Sequence, residues 1–207
     1  MNILIVSSSA NGDASVSNGL VGRFVDSVRE HVPDANIVLR DVGANPLPHL
    51  TQHTVAAIKG EPVTPVELEA RALSDELVAE LQQADVILIA SPMYNFGISS
   101  TLKSWFDHVA RAGVTFRYAE NGPEGLLKGK KTVAILSRAG LYSEGPGVAM
   151  DGQEPYLRAM LGFVGLDDVT WIRAEKLAFG PEAAGQAIEE AAAALHGIAR
   201  ETLPLAA

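Results

Sequence analysis

Three short, largely apolar runs, at residues 3–6, 86–90 and 132–136, do most to limit what this chain can fold into. None shows the polar alternation of a half-exposed strand, so each reads as a strand covered on both faces, the habit of parallel sheets. After the first run comes a Ser/Asn/Gly loop, and then Leu20, Val21, Phe24 and Val28 recur at helical spacing. Residues 35–39 read as a second strand and residues 169–173 as a fifth. Between residues 41 and 64 the chain is rich in Pro and Gly and is expected to wander over the surface. Thr64-Pro65-Val66-Glu67 then announces a helix: Thr64 can cap it, Pro65 suits its first position, and Glu67 can close a capping box. Leu68, Ala72, Leu73, Leu77 and Leu81 form its expected buried stripe. Leu102, Trp105, Phe106 and Val109 mark the next helix, with both aromatics assigned to the core. Residues 155–164 make another helix, and Gly180-Pro181 opens the last, Ala-rich one.

Strands alternating with helices, with no hairpin-rich section and no internal repeat, give an α/β fold. It is expected to be a doubly wound five-stranded parallel sheet, order 2-1-3-4-5, with helices on both faces. At 207 residues one domain over 1–207 is expected. The net charge of -9 argues against nucleic acid, whose phosphates demand a basic face. No apolar run reaches the roughly 20 residues of a membrane span. MNILIVSSS has no basic segment ahead of its apolar stretch, so it reads as a first strand and the expected location is cytoplasmic. The absence of Cys excludes disulfides and thiolate chemistry. His49 and His53 have i,i+4 spacing but no acidic ligand beside them, so structural or surface roles are expected and no metal site.

Ligands of open α/β sheets sit beyond the carboxyl ends of the strands where the order reverses, here between strands one and three. The loops at that point are residues 7–18 and 91–99. The first, SSSANGDASVSN, has no Lys or Arg but offers hydroxyls and the N–H groups that open a helix, enough to hold a phosphate without a cation. No G-x-G-x-x-G follows the first strand. The nearest approach to a P-loop, GPEGLLKGKKT, has Glu124 for its first Gly and Lys131 for its Ser or Thr. The second loop, SPMYNFGIS, brings flat apolar surface at Tyr94 and Phe96, an amide at Asn95, and Gly97 for close backbone approach. A third, Ser137-Arg138-Ala139-Gly140, adds a hydroxyl, a cation and small residues at the same edge. A phosphate cradle, an aromatic-polar wall and a small polar strip together describe a flavin mononucleotide site.

At this point the chain resembles the FMN-dependent NADH:quinone oxidoreductases, or azoreductases, of the flavodoxin-like superfamily. The resemblance covers nearly the whole sequence. It rests on PMYNF, then LKSWFD, then VARAGVTFRYAENGPEGL within residues 92–126, together with the SVSN turn at 15–18, SRAG at 137–140 and PYL…LGFVG at 155–165. It implies that Ser9, Ser15, Val16 and Ser17 hold the FMN phosphate, that Met93, Tyr94, Asn95 and Phe96 contact the ring system and ribityl chain, and that Ser137, Arg138, Ala139 and Gly140 meet the ring's polar edge. It also implies a homodimer with flavin sites at the interface, where Tyr118 and Phe163 would wall the substrate pocket. Gly97, where the family often has Asn, and Ala139, where it often has Gly, are departures, and Gly97 is a candidate for acceptor preference. The activity implied is transfer of two electrons from NADH or NADPH through tightly bound FMN to quinones and azo compounds by ping-pong kinetics. The chemistry is at flavin N5 and no catalytic side chain is required. A flavodoxin-type electron carrier acting through a protein partner is the alternative. The residue 41–64 segment and the ENGPEG loop are longer than a carrier needs. A hydrolase is disfavoured by the missing G-x-S-x-G and the mid-helix position of His108.

Overall fold

The structure, a computed structural model, describes residues 1–202. Its main sheet is five-stranded, in the order β2-β1-β3-β6-β7, formed by β1 (Asn2–Ser7), β2 (Asn36–Asp41), β3 (Val86–Pro92), β6 (Lys131–Ser137) and β7 (Val169–Ala174). All four pairings are parallel, with Val6 opposite Ile89 and Ile89 opposite Ala134. Counting only these strands, this is the expected 2-1-3-4-5 order. β1, β3 and β6 are buried almost throughout, as their unbroken apolar runs require. β2 and β7 at the edges are half exposed.

Helices cover both faces. α1 (Val16–His31) and α6 (Pro181–Gly197) pack on one, where Leu20, Phe24, Val28 and Leu195 meet Ile3, Ile5 and Leu88. On the other, α3 (Pro65–Gln83), α4 (Ser100–Val109) and α5 (Glu154–Val164) enclose Leu4, Ile87, Leu136, Trp105 and Phe106. The capping box of α3 forms as read: Thr64 Oγ1 accepts from the Glu67 N–H at 3.3 Å, and the Glu67 carboxylate accepts from the Thr64 N–H at 2.9 Å. No helix among the described residues is long and apolar enough to cross a membrane.

Three expectations need correcting. Leu77 and Leu81 are buried and Leu73 partly so, as expected, but Leu68 and Ala72 are exposed: the buried face of α3 begins only at its third turn and takes in Ser74 and Val78. The Pro- and Gly-rich stretch contains a short helix, α2 (Thr54–Lys59), whose Ala57 and Gly60 carbonyls accept from Arg71 Nη1. The ENGPEG segment is the turn (Glu120, Asn121) and second strand of a hairpin, β4 (Phe116–Ala119) with β5 (Gly122–Gly125). It rests on the end of α5, where a Cβ on Gly125 would come within 2.0 Å of the Gly165 nitrogen.

Candidate active site

The carboxyl ends of β1, β3, β6 and β7 surround one open cleft. Ser9, Asn11, Ala14, Ser15 and Val16 line it from the first loop, Pro92, Met93 and Tyr94 from the end of β3 and its loop, and Ser137, Arg138 and Ala139 from the end of β6 and its loop. Leu177 and Ala178 close it after β7. These loops are sewn together. Ser8 Oγ donates to the Ala90 carbonyl at 2.9 Å, and the Ala10 N–H donates to Tyr94 Oη at 2.9 Å. The Met93 N–H donates to the Ser137 carbonyl at 2.9 Å, and the Ala178 N–H to the Ala139 carbonyl at 2.9 Å. The cleft is thus held in shape by the chain itself.

Its first wall is the opening of α1. Ser15 is the cap, its Oγ accepting from the Asn18 N–H at 3.1 Å. The Val16 and Ser17 N–H groups, in the first helical turn, have no intrahelical acceptor, and the positive end of the helix dipole lies there. Ser17 is fully buried, its Oγ 3.1 Å from Ser15 Oγ, so its hydroxyl supports Ser15 from below. Behind this wall Gly43 presses on the first loop: a Cβ there would lie 2.1 Å from the Ser9 carbonyl oxygen.

SPMYNFGIS makes the second wall. Ser91 and Pro92 belong to β3, and the chain then reverses in a two-residue turn. Tyr94 and Gly97 exchange both backbone hydrogen bonds, at 2.9 and 3.0 Å, around Asn95 (φ 47°) and Phe96 (φ 71°). Two successive left-handed residues are what a type I′ turn demands. Asn accepts that conformation readily; Phe does not, and holding it there costs on the order of 1–3 kcal/mol. The Phe96 carbonyl accepts from the Gly152 N–H at 2.8 Å, which pins the turn, while the ring stays about half exposed. Asn95 and Phe96 therefore stand at the rim, with Met93 and Tyr94 inside. Gly97 has an ordinary φ, and a Cβ there would meet only the Tyr94 carbonyl, at 3.9 Å, so the backbone does not require glycine at this position.

The residues expected in the third loop divide. Ser137 and Ala139 line the cleft, whereas Gly140 lies behind, under the Tyr142 ring. Arg138 corrects its expectation. Its backbone borders the cleft, but the guanidinium is fully buried and offers no cation to it. Nε donates to Gln153 Oε1 at 2.8 Å, Nη1 to Glu175 Oε1 at 3.0 Å and Nη2 to Asp151 Oδ2 at 3.0 Å. Gln153 Nε2 in turn donates to the Ser91 carbonyl at 2.7 Å. One buried network thereby ties the ends of β3, β6 and β7 to the start of α5. Burial pushes the Glu175 carboxyl up, but bonds from Ser143, the Tyr142 N–H and Arg138 hold it below the usual carboxylate range. Burial also pushes Glu154 up, and Arg173 and Arg158 outweigh it, leaving a pKa of about 2.

A family profile described as flavodoxin-like fold matches residues 1–198. Over 206 residues the chain is 54% identical to an FMN-dependent NADH:quinone oxidoreductase of Hyphomonas neptunium, covering 100% of this chain and 99% of that protein. It belongs to that family. The Escherichia coli K12 member is 50% identical over 198 residues, covering 95% of this chain and 97% of its own length. Among solved structures, an azoreductase from Bacillus anthracis superposes with a TM-score of 0.89 at 27% identity, covering 97% of this chain and 99% of that one. An FMN-dependent NADH-azoreductase from the same species, in complex with FMN, superposes at 0.86 with 26% identity, covering 96% and 100%.

In this family member Tyr118 and Phe163 are not among the cleft's walls. Tyr118 is 77% exposed on the β4–β5 hairpin, and Phe163 packs on Phe116 with ring centroids 4.3 Å apart. His108 is buried, with Nε2 2.9 Å from the Pro48 carbonyl, which leaves it no hydrolytic role. Sequence reasoning missed Leu177 and Ala178. Their only signal was topological, since the strand beside β6 must deliver its loop to the same edge.

Proposed function

We propose that this chain binds FMN in the cleft and acts as an NAD(P)H:quinone oxidoreductase that also reduces azo compounds. The observation that carries the proposal is the pairing, across one preformed cleft, of a cation-free donor set with an aromatic-polar wall. Val16 and Ser17 N–H groups with the Ser9 and Ser15 hydroxyls suit a phosphate monoester. Each charge-assisted hydrogen bond contributes about 1.5–3 kcal/mol, so a few suffice for tight binding. Asn18 Oδ1, further along the same turn, is buried without a protein partner among the described residues, an acceptor left over for a ligand hydroxyl. Met93 and Tyr94 offer a flat face, and Ser137 and Ala139 a small polar strip. These residues fit FMN.

FMN, when bound, supplies two-electron acceptance from reduced nicotinamide and donation to the acceptor. The chain's part is orientation: the first wall fixes the phosphate, Tyr94 is locked by the Ala10 N–H, and the Arg138 network keeps the third loop from shifting. Donor and acceptor occupy the same slot in turn, so no side-chain acid or base is obligatory and ping-pong kinetics follow.

The active form is a homodimer. Phe96, Tyr118, Val148 and Met150 are large apolar side chains left about half or more exposed by the single chain, the kind of surface a second copy covers. Tyr118 and Phe163 would then wall the acceptor slot of the other protomer. Steady-state rates over a grid of NADH or NADPH against quinone and azo acceptors test the proposal. Parallel double-reciprocal lines are expected. Intact flavin with negligible turnover on every small acceptor would point instead to an electron carrier.

A further inference from the structure

We propose that the C-terminal ends of α1 and α6 form a binding site for a divalent transition-metal ion, Zn2+ above all, built from His31, His196 and Glu30. It is independent of the proposed function. Donor atoms of these three side chains lie within 4.8 Å of one another. The two histidines are 165 residues apart in sequence, so no spacing motif announces them, unlike the i,i+4 pair His49 and His53.

The hydrogen bonds allow both imidazoles the form a metal needs. His31 Nδ1 is 2.8 Å from the Ser27 carbonyl oxygen. A carbonyl only accepts, so Nδ1 carries the proton and Nε2 the lone pair. Ser27 Oγ lies 3.0 Å from the Arg23 carbonyl, which takes the single hydroxyl proton. His196 Nδ1, 3.2 Å from the same Oγ, can then donate to it, which leaves its lone pair on Nε2. Metal-binding histidines typically donate the other ring N–H to a carbonyl or similar oxygen, which orients the ring and sets the tautomer. Here one residue, Ser27, does this for both.

The surroundings agree. The rings stand edge to face with centroids 5.1 Å apart, and both are partly exposed, so an ion can reach them. His31 stands in the last turn of α1, where the dipole favours a cation, while past His196 the chain of α6 continues into a π-helix, Ile198–Thr202. Two imidazoles and a carboxylate leave the fourth tetrahedral position to water. Bonds of about 2.0–2.2 Å place donors roughly 3.3 Å apart, within reach of rotation of the exposed Glu30 side chain. With 16 residues in α1, the site lies roughly 24 Å along the helix from the cleft. Binding would clamp α1 to α6 rather than enter the redox chemistry.

The test uses the purified full-length protein, stripped with chelator and titrated with Zn2+ by calorimetry, alongside its thermal midpoint with and without the ion. One Zn2+ per chain and a raised midpoint are expected. Ser27→Ala should weaken binding ~10–100-fold, and His31→Gln or His196→Gln by more. The double variant His49→Gln/His53→Gln should bind like the parent, and circular dichroism reports whether each variant is folded. Absence of binding by the parent overturns the proposal. So does binding that survives in folded His31→Gln and His196→Gln, or that is lost in the His49/His53 variant.

Discussion

Ser15→Ala separates the two duties given to the first wall of the cleft. Ser15 Oγ caps α1 by accepting from the Asn18 N–H at 3.1 Å, and loss of such a cap costs about 1 kcal/mol of stability. The same hydroxyl is assigned to the FMN phosphate, and a charge-assisted bond lost there costs about 1.5–3 kcal/mol. At 1.36 kcal/mol per decade the FMN dissociation constant should rise roughly 10- to 160-fold. Ser99→Ala is the matched control. Ser99 caps α4 in the same way, accepting from the Leu102 N–H at 3.1 Å, is as buried as Ser15, and does not line the cleft. Urea unfolding of the two apo-proteins should therefore show similar losses. FMN fluorescence titration should show a large affinity loss for Ser15→Ala and a change under about twofold for Ser99→Ala, since its cap loss acts on stability alone. Equal FMN affinities in the two variants would refute the assignment of the phosphate to the α1 N-terminus.

Gly43→Ala should displace the Ser9 segment, because the added Cβ meets its backbone at 2.1 Å; FMN affinity should fall along with stability, and an unchanged affinity would count against Ser9. Gly97→Asn should leave the urea midpoint nearly unchanged, as its Cβ meets only ordinary contact, while shifting the ratio of kcat/KM between quinone acceptors. Arg138→Met breaks a buried charge network and should cost about 3–5 kcal/mol in urea unfolding; an FMN defect without that loss would restore the arginine as a flavin-facing cation. Glu154 and Glu175 are both held below their ordinary pKa. Their contribution to stability is complete above the unfolded value near 4.5 and is lost as pH falls below it, for Glu154 on the way to about 2. The acid limb of a thermal-midpoint profile should accordingly flatten in Glu154→Gln, and an identical limb would contradict the pairing with Arg173 and Arg158.

What the sequence made legible followed from strong local signals. Unbroken apolar runs marked β1, β3 and β6 and, through them, the sheet order and the edge where the cleft lies. Thr64, Pro65 and Glu67 marked a helix start to the residue. Weaker or tertiary causes stayed hidden. β4 and β5 are short, and Arg117, Tyr118 and Ala119 are exposed, so no apolar pattern set them apart from a loop. Leu68 fits a helical stripe by spacing alone; whether it is buried depends on what packs against the first turns of α3. Arg138 has the right position and the wrong direction, because Asp151, Gln153 and Glu175 arrive from other elements to claim its guanidinium. Gly43 and the His31–His196 pair likewise acquire meaning only when distant segments meet.

FMN held in this cleft should pass through a complete redox cycle. The most direct test is an anaerobic two-step mixing experiment on the FMN-loaded protein, followed by absorbance in the flavin bands. Stoichiometric NADH or NADPH should bleach the bands, and subsequent quinone should restore them fully. Bands that fail to bleach, or a protein that takes up no FMN, would contradict the account.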